Sequence, residues 1–180
     1  ALRGVPSLKA VLVITSDKVY DNRESGRAFI ESDPLGGHDP YSASKAAAEI
    51  AVASYGNAFL ASQGVRVATA RGGNVIGGGD FAADRLVPDI WRAARAGTAL
   101  GLRHPEATRP WQHVLDCVSG YLAYLEALAS GRDVPSALNF GPGADAAAVS
   151  VGALAEAMQD ALGGAVRWRK APADDARREM

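Results

Sequence analysis

AVLVIT at residues 10–15, followed at once by SDKVY at 16–20, decides the fold. Six apolar and mostly β-branched residues in a row leave no polar face, which is the pattern of a strand covered on both sides in a parallel sheet. The run stops abruptly at Ser16-Asp17-Lys18. In open α/β sheets ligands bind outside the carboxyl ends of the strands. A hydroxyl, a carboxyl and an amine therefore stand where a ligand would be met. A plain polar turn after a strand explains the same three residues about as well, so they need support from elsewhere in the chain.

Outward from this strand, residues 16–39 are polar, punctuated by Gly and Pro, and predict a long functional loop. Asp39-Pro40 predicts a helix start, with Asp as N-cap and Pro at the first helical position. The helix is expected to run to about Ser62 and to stop near Gly64. Its apolar residues (Ala46, Ala47, Ala48, Ile50, Ala51, Val52, Ala53, Ala58, Phe59) cover more than one stripe. Two apolar sides suit packing on the chain's own sheet and on a second subunit. Further on, the pattern predicts strands at 65–70, 98–103, 137–140 and 165–169 and helices at 84–96, 114–130 and 150–163. A glycine-rich loop is expected at 71–80 and another loop at 104–112. Strands alternating with helices mean an α/β sheet with right-handed crossovers. The tail from residue 171 is charged and reads as frayed.

The 180 residues suffice for one sizeable domain with a true core. A formal net charge of −1 gives no field for holding nucleic acid. Cys117 is the only cysteine, which excludes an internal disulfide and suits a reducing compartment. With His38, His104 and His113 scattered, no zinc spacing arises, and no metal is expected. No apolar run approaches the ~20 residues of a membrane span.

The second chemical signal is Tyr41-Ser-Ala-Ser-Lys45 on the first turns of the predicted helix. A spacing of four puts phenol and ammonium on one helix face. A cation there, and the positive helix end, favour phenolate over phenol and make a general base for a hydroxyl proton. With five tyrosines and four lysines in the chain, such a pair arises by chance in about one chain in ten. Its weight comes from the strand end: together the two signals place hydroxyl, acid, amine, phenol and ammonium in one site.

Ser16, followed 25 residues later by Tyr-x-x-x-Lys on a strand-loop-helix unit, resembles the extended short-chain dehydrogenase/reductase family. Four stretches carry a closer likeness to its nucleotide-sugar 4,6-dehydratases, in particular those acting on CDP-glucose: ITSDKVY, DPLGGHDPYSASKAAAE, RGGNVIGGGDFAADRLVPD and HPEATRPWQHVLDCVSGYL. Relatives acting on dTDP-glucose usually carry Asp-Glu where this chain has Asp17-Lys18, so the lysine turns the reading toward CDP-glucose. The resemblance implies a partial Rossmann-like parallel sheet with a smaller substrate-binding lobe. Residues 1–80 would form the later part of the NAD-binding domain and 81–180 mainly the nucleotide-sugar region, with strand 137–140 returning to the main sheet. It also implies NAD as cofactor, a nucleotide-sugar substrate and a cytoplasmic homodimer that supplies deoxysugars. Ser16, Asp17, Lys18, Tyr41 and Lys45 would be catalytic, with Tyr41 and Lys45 also on the cofactor. Asn74, Arg85, Leu86, Val87, Arg109 and Asn139 would bind substrate, and Trp111 and His113 would support Arg109.

The family opens with a strand, a G-x-x-G-x-x-G turn and a helix whose N-terminus holds the NAD pyrophosphate. Gly77-Gly78-Gly79-Asp80-Phe81-Ala82 fits a related pattern formally, but it lies seven residues past its strand with no acid ~20 residues on. The chain is therefore expected to be a piece of a larger enzyme and to be inactive alone. Two alternatives stay open: another nucleotide-sugar dehydratase or epimerase of the family, and a non-catalytic fragment that binds a nucleotide sugar.

Overall fold

The computed structural model describes residues 2–23, 26–143 and 146–172. In chain order the elements are β1 (Ala10–Ile14), α1 (Pro40–Tyr55), β2 (Arg66–Gly72), β3 (Val75–Ile76), α2 (Leu86–Ala96), β4 (Ala99–Leu102), β5 (Thr108–Arg109), β6 (Gln112–His113), α3 (Val114–Ala129), β7 (Ala137–Phe140), β8 (Val149–Ser150), α4 (Val151–Ala161) and β9 (Arg167–Lys170). The chain divides into two compact units. The first joins Ala1–Val75 to Gln112–Gly141, and the second joins Ile76–Trp111 to Pro142–Met180. Almost all of the charged tail, from residue 173 on, lies outside the described residues.

The first unit is built on a parallel sheet in the order β1-β2-β7. Ala10 faces Arg66 and Ile14 faces Ala70, while Thr69 faces Ala137 and Gly72 faces Phe140. Side chains alternate across a strand, and β2 uses both faces. Ala68 and Ala70 turn toward α3 and make a core with Tyr124 and Leu128, against which Leu12, Leu138 and Phe140 pack. Thr69 and Arg71 turn toward α1. Helix α3 packs on β1, but β1 is an edge strand whose residues are half-buried and whose Ile14 is exposed, so it is less covered than its apolar run predicts. The second unit has its own core of Ile90, Ala93, Leu102, Ala155 and Val166. Around it, β4 pairs with β9 in parallel and β5 with β8 antiparallel.

Helix α1 starts as its sequence predicts. The Asp39 carboxylate accepts from the Ser42 backbone N–H at 3.0 Å, and Pro40 occupies the first position. The helical segment ends where expected, at Gly64, but its winding changes on the way. Regular α-helical hydrogen bonding stops at Tyr55, Gly56–Leu60 continues with a π turn, and Ala61–Gln63 closes as a 3-10 turn. Such π segments sit inside longer helices and shift the faces that follow. Gly64 then reverses the chain at φ 71°, a left-handed conformation that favours glycine. The expected loop at 104–112 holds β5 and the start of β6, and β2 runs two residues beyond its predicted end, to Gly72.

Gly72 is required by close packing. A Cβ there would collide with the Tyr121 hydroxyl and approach the Cys117 sulfur at 3.8 Å. The glycine lets α3 lie close on the end of β2. Gly72→Ala is expected to lower stability by about 1–3 kcal/mol, the usual cost of overpacking. Adding Tyr121→Phe should recover part of that loss by removing the colliding oxygen. Urea denaturation of both variants checks this; an unchanged midpoint in Gly72→Ala would contradict it.

Candidate active site

Five side chains form a buried polar assembly between α1 and the sheet: Thr15, Glu49, Thr69, Arg71 and Tyr20, none more than 8% exposed. Glu49 lies on the inward face of α1, and its two carboxylate oxygens divide their partners. Oε1 accepts from the Thr15 hydroxyl at 2.5 Å. Oε2 accepts from the Thr69 hydroxyl and from Arg71 Nη2, both at 2.8 Å. The other Arg71 terminal nitrogen donates to the Tyr20 hydroxyl at 2.9 Å and to the Glu31 carbonyl at 3.0 Å. Tyr20 in turn donates to Asn139 Oδ1 at 2.6 Å and stacks on Phe29, ring centroids 4.7 Å apart. Burial alone pushes the Glu49 carboxyl up, but the hydrogen bonds from Arg71, Thr15 and Thr69, with the guanidinium charge, hold it below the ordinary glutamate value.

Beside this assembly, at the carboxyl ends of β1 and β2, lies a cavity of about 290 Å³. Ser16 and Tyr41 line it with Thr15 and the Gly72–Gly73 backbone; Val114, Cys117, Val118 and Tyr121 of α3 form its apolar wall. Ser16 caps the short helical turn Asp17–Val19, accepting from the Lys18 backbone N–H and donating to Asp17 Oδ1, each at 3.2 Å. Lys45 stands one turn along α1 from Tyr41, with Nζ 5.8 Å from the Tyr41 ring centroid. Lys18 is exposed and does not line the cavity. Its charge reaches Asp39, whose carboxyl is held low first by the Ser42 hydroxyl and backbone N–H and to a lesser degree by Lys18. The turn that carries Asp17 and Lys18 therefore faces the start of α1.

A family model described as the NAD dependent epimerase/dehydratase family matches residues 2–141. The chain belongs to this family. It is 45% identical over 147 residues to a CDP-glucose 4,6-dehydratase from Salmonella typhimurium, a stretch covering 78% of this chain and 41% of that protein. It thus spans about two fifths of that curated relative. Among solved structures, an NAD-dependent NDP-hexosamine 5,6-dehydratase of tunicamycin biosynthesis superposes with a TM-score of 0.69 at 27% identity, over 90% of this chain and 50% of that one. A UDP-glucuronic acid 4-epimerase from Bacillus cereus, solved with UDP-glucuronic acid and NAD, superposes with a TM-score of 0.76. At 16% identity over 93% of this chain and 50% of that one, it shows the fold alone.

Family membership makes NAD the cofactor to test against the cavity. Its volume is near the lower end for small-molecule sites, enough for a flat ring and not for a whole dinucleotide. Apolar side chains on one wall and the Thr15, Ser16 and Tyr41 hydroxyls on the other suit the nicotinamide end; Lys45 does not line the cavity. Of the two phenols at the cavity, Tyr121 is fixed as a neutral hydroxyl. Burial, then the neighbouring Cys117 and the Asp17 charge, push it far above the ordinary tyrosine value.

The remaining predicted site residues are distributed between the two units. Asn74 follows β2, and its carbonyl accepts from the Gln112 N–H at 2.9 Å. The Asn139 side chain is engaged by Tyr20 and donates to the Phe29 carbonyl at 3.3 Å. In the second unit Arg85 is the exposed N-cap residue of α2, Leu86 packs on that unit's core, and Val87 is half-buried. Arg109 lies in β5 and donates to the Thr108 carbonyl at 3.1 Å. Trp111 donates to the Val149 carbonyl. His113 was expected to support Arg109. It instead caps α3, its Nδ1 accepting from the Leu115 N–H. Among the described residues no three His, Cys, Asp or Glu side chains are grouped to hold a metal, and no helix is long and apolar enough to cross a membrane.

Glu49, Arg71 and Tyr121 were not anticipated. Removing one partner of a buried ion pair strands the other charge, so Glu49→Ala should cost about 3–5 kcal/mol at neutral pH. Because the folded carboxyl sits below its unfolded value, this stabilisation is present above the ordinary glutamate range and lost as pH falls through the folded value. Glu49→Gln resembles the protonated side chain. Its stability deficit against wild type, measured by urea denaturation across pH, should therefore shrink on acidification; a gap independent of pH would contradict the assignment.

Proposed function

We propose that the full-length protein is a nucleotide-sugar 4,6-dehydratase that converts CDP-glucose to CDP-4-keto-6-deoxyglucose. The observation that carries this is the cavity shared by Ser16 and Tyr41, with an acid and an amine, Asp17 and Lys18, on the turn that starts at Ser16. Oxidation and reduction of a sugar need only hydroxyl, phenol and ammonium. An added acid and base supply what elimination of water requires. The 45% identity to a CDP-glucose enzyme supports the choice of nucleotide.

In this reading Tyr41 takes the proton of the sugar 4-hydroxyl, and Ser16 hydrogen-bonds the same oxygen. Lys45 keeps the phenolate charged and binds the nicotinamide ribose. NAD, when bound, would take a hydride from C4 and give it back at C6 after water has left, so that with C5 reprotonated the 4-keto-6-deoxy sugar forms and the cofactor ends unchanged. A carbonyl at C4 makes the C5 proton acidic, and Lys18 removes it. Asp17 gives a proton to the departing 6-hydroxyl, so that water leaves across C5–C6. Asn74, Arg85, Val87 and Arg109 are the proposed nucleotide-sugar contacts, the arginines because a planar fork binds phosphate through two hydrogen bonds. Within their own units, Leu86 packs on the second unit's core and Asn139 braces Tyr20.

Apolar side chains left exposed on α1 and its continuation, Ile50, Tyr55 and Phe59, support a homodimer that uses this helix. A dehydratase specific for another nucleotide would run the same overall reaction, so substrate comparison decides. The full-length protein with NAD is expected to form a 4-keto product from CDP-glucose faster than from dTDP-glucose; the reverse order would move the assignment to the other nucleotide. Lys18→Ala should slow exchange of the C5 hydrogen with solvent deuterium by ~10²–10⁴. Normal exchange in that variant would remove the lysine from the mechanism.

A further inference from the structure

Resting on the dehydratase reading, we propose that the Glu49–Arg71 ion pair is a clamp that positions both ends of the turn carrying Ser16, Asp17 and Lys18. The turn is bracketed by Thr15 and Tyr20, and each is tied to one member of the pair. Glu49 Oε1 takes the Thr15 hydroxyl at 2.5 Å, and Arg71 gives a hydrogen bond to the Tyr20 hydroxyl at 2.9 Å. Glu49 also belongs to the helix that presents the base. Tyr41, Lys45 and Glu49 recur every four residues and so lie along one side of α1. One carboxylate thereby fixes the spacing between the helix end with Tyr41 and the strand end with Ser16, the two groups that must meet a single sugar oxygen.

The composition of the assembly argues for positioning beyond support. A buried ion pair is often no more stabilising than apolar residues of the same size, whereas a polar network restricts the chain to the arrangement that satisfies it; here both Glu49 oxygens and both terminal Arg71 nitrogens are engaged, and only Arg71 Nε is left without a partner. The helix could pack on β2 through alanine and valine. It carries instead a charge with two oxygens, one aimed at the reactive strand end and the other at β2. Misplacing a catalytic group by ~1 Å can cost on the order of 10²-fold in rate, so such a clamp would act on turnover more than on substrate binding.

Single hydroxyl deletions separate the two roles while leaving the ion pair in place. Thr15→Val and Tyr20→Phe each cut one arm of the clamp. Thr69→Val removes a comparable hydrogen bond to Glu49, 2.8 Å long, that does not reach the turn. In the full-length enzyme, Thr15→Val and Tyr20→Phe should lower kcat about 10- to 100-fold with KM within about threefold. Thr69→Val should stay within about threefold of wild type in both, and Thr15→Ser should restore the rate. Hydrogen–deuterium exchange should rise over residues 15–20 in the two clamp variants and not in Thr69→Val. Equal loss of kcat in Thr15→Val and Thr69→Val, or unchanged exchange over 15–20 in the clamp variants, would overturn the clamp. Should the wild-type protein turn over no nucleotide sugar, the dehydratase reading fails; the exchange contrast still decides whether the pair holds the turn.

Discussion

A carboxylate and a guanidinium buried between a helix and a sheet, Glu49 and Arg71, organise the first unit of this protein. Each is about 4–5% exposed, so neither charge can be left without its partner. Desolvating both is costly, and their attraction offsets that cost only when geometry and hydrogen bonding are good. Here Thr15, Thr69, Tyr20 and the Glu31 carbonyl supply the hydrogen bonds. The demand for these partners fixes the rotation of α1, the outward-reaching end of β2 and the return of the long loop between β1 and α1. Through Tyr20 it also reaches Asn139 and thus β7.

With that frame set, the chemistry of the cavity follows from where each element ends. Strand β1 stops at the point where its polar residues begin, and α1 begins beside it. The open end of a parallel sheet thereby receives Ser16 from the strand and Tyr41 from the helix. Helix α3 contributes the apolar wall. Its Tyr121 packs against Gly72, and burial pushes its hydroxyl well above the ordinary tyrosine value. The family fold is shared by dehydratases and epimerases, so the fold alone does not choose the reaction. The proposed choice rests on the residues of the turn after Ser16.

Much of this was legible in the sequence because local signals agreed with the global fold. AVLVIT reads as a strand of the parallel sheet, although an edge strand is less covered than that run suggests; Asp39-Pro40 begins the helix as expected, and Gly64 ends it. The pair at the centre was not read. Counting apolar positions along α1 treats a glutamate as solvated, and Arg71 looked like the first residue of a glycine-rich loop. A signal was present in both cases. Glu49 stands between Ala46-Ala47-Ala48 and Ile50-Ala51-Val52, a poor setting for a solvated charge. Arg71 continues the alternation of Val67 and Thr69 on one face of β2. The π turn at Gly56–Leu60 and the capping role of His113 left no such trace, since both depend on how neighbouring elements meet.

The account turns on one crevice formed by the β1 turn and the start of α1. A crystal structure of the full-length protein with NAD and a non-reacting CDP-sugar tests this most directly. The account predicts the sugar 4-oxygen within hydrogen-bond distance, about 2.6–3.2 Å, of both the Tyr41 and the Ser16 hydroxyls. It also predicts Lys18 on the C5 side of the ring. A sugar bound elsewhere, or the two hydroxyls more than about 10 Å apart and beyond even a water bridge, would contradict it.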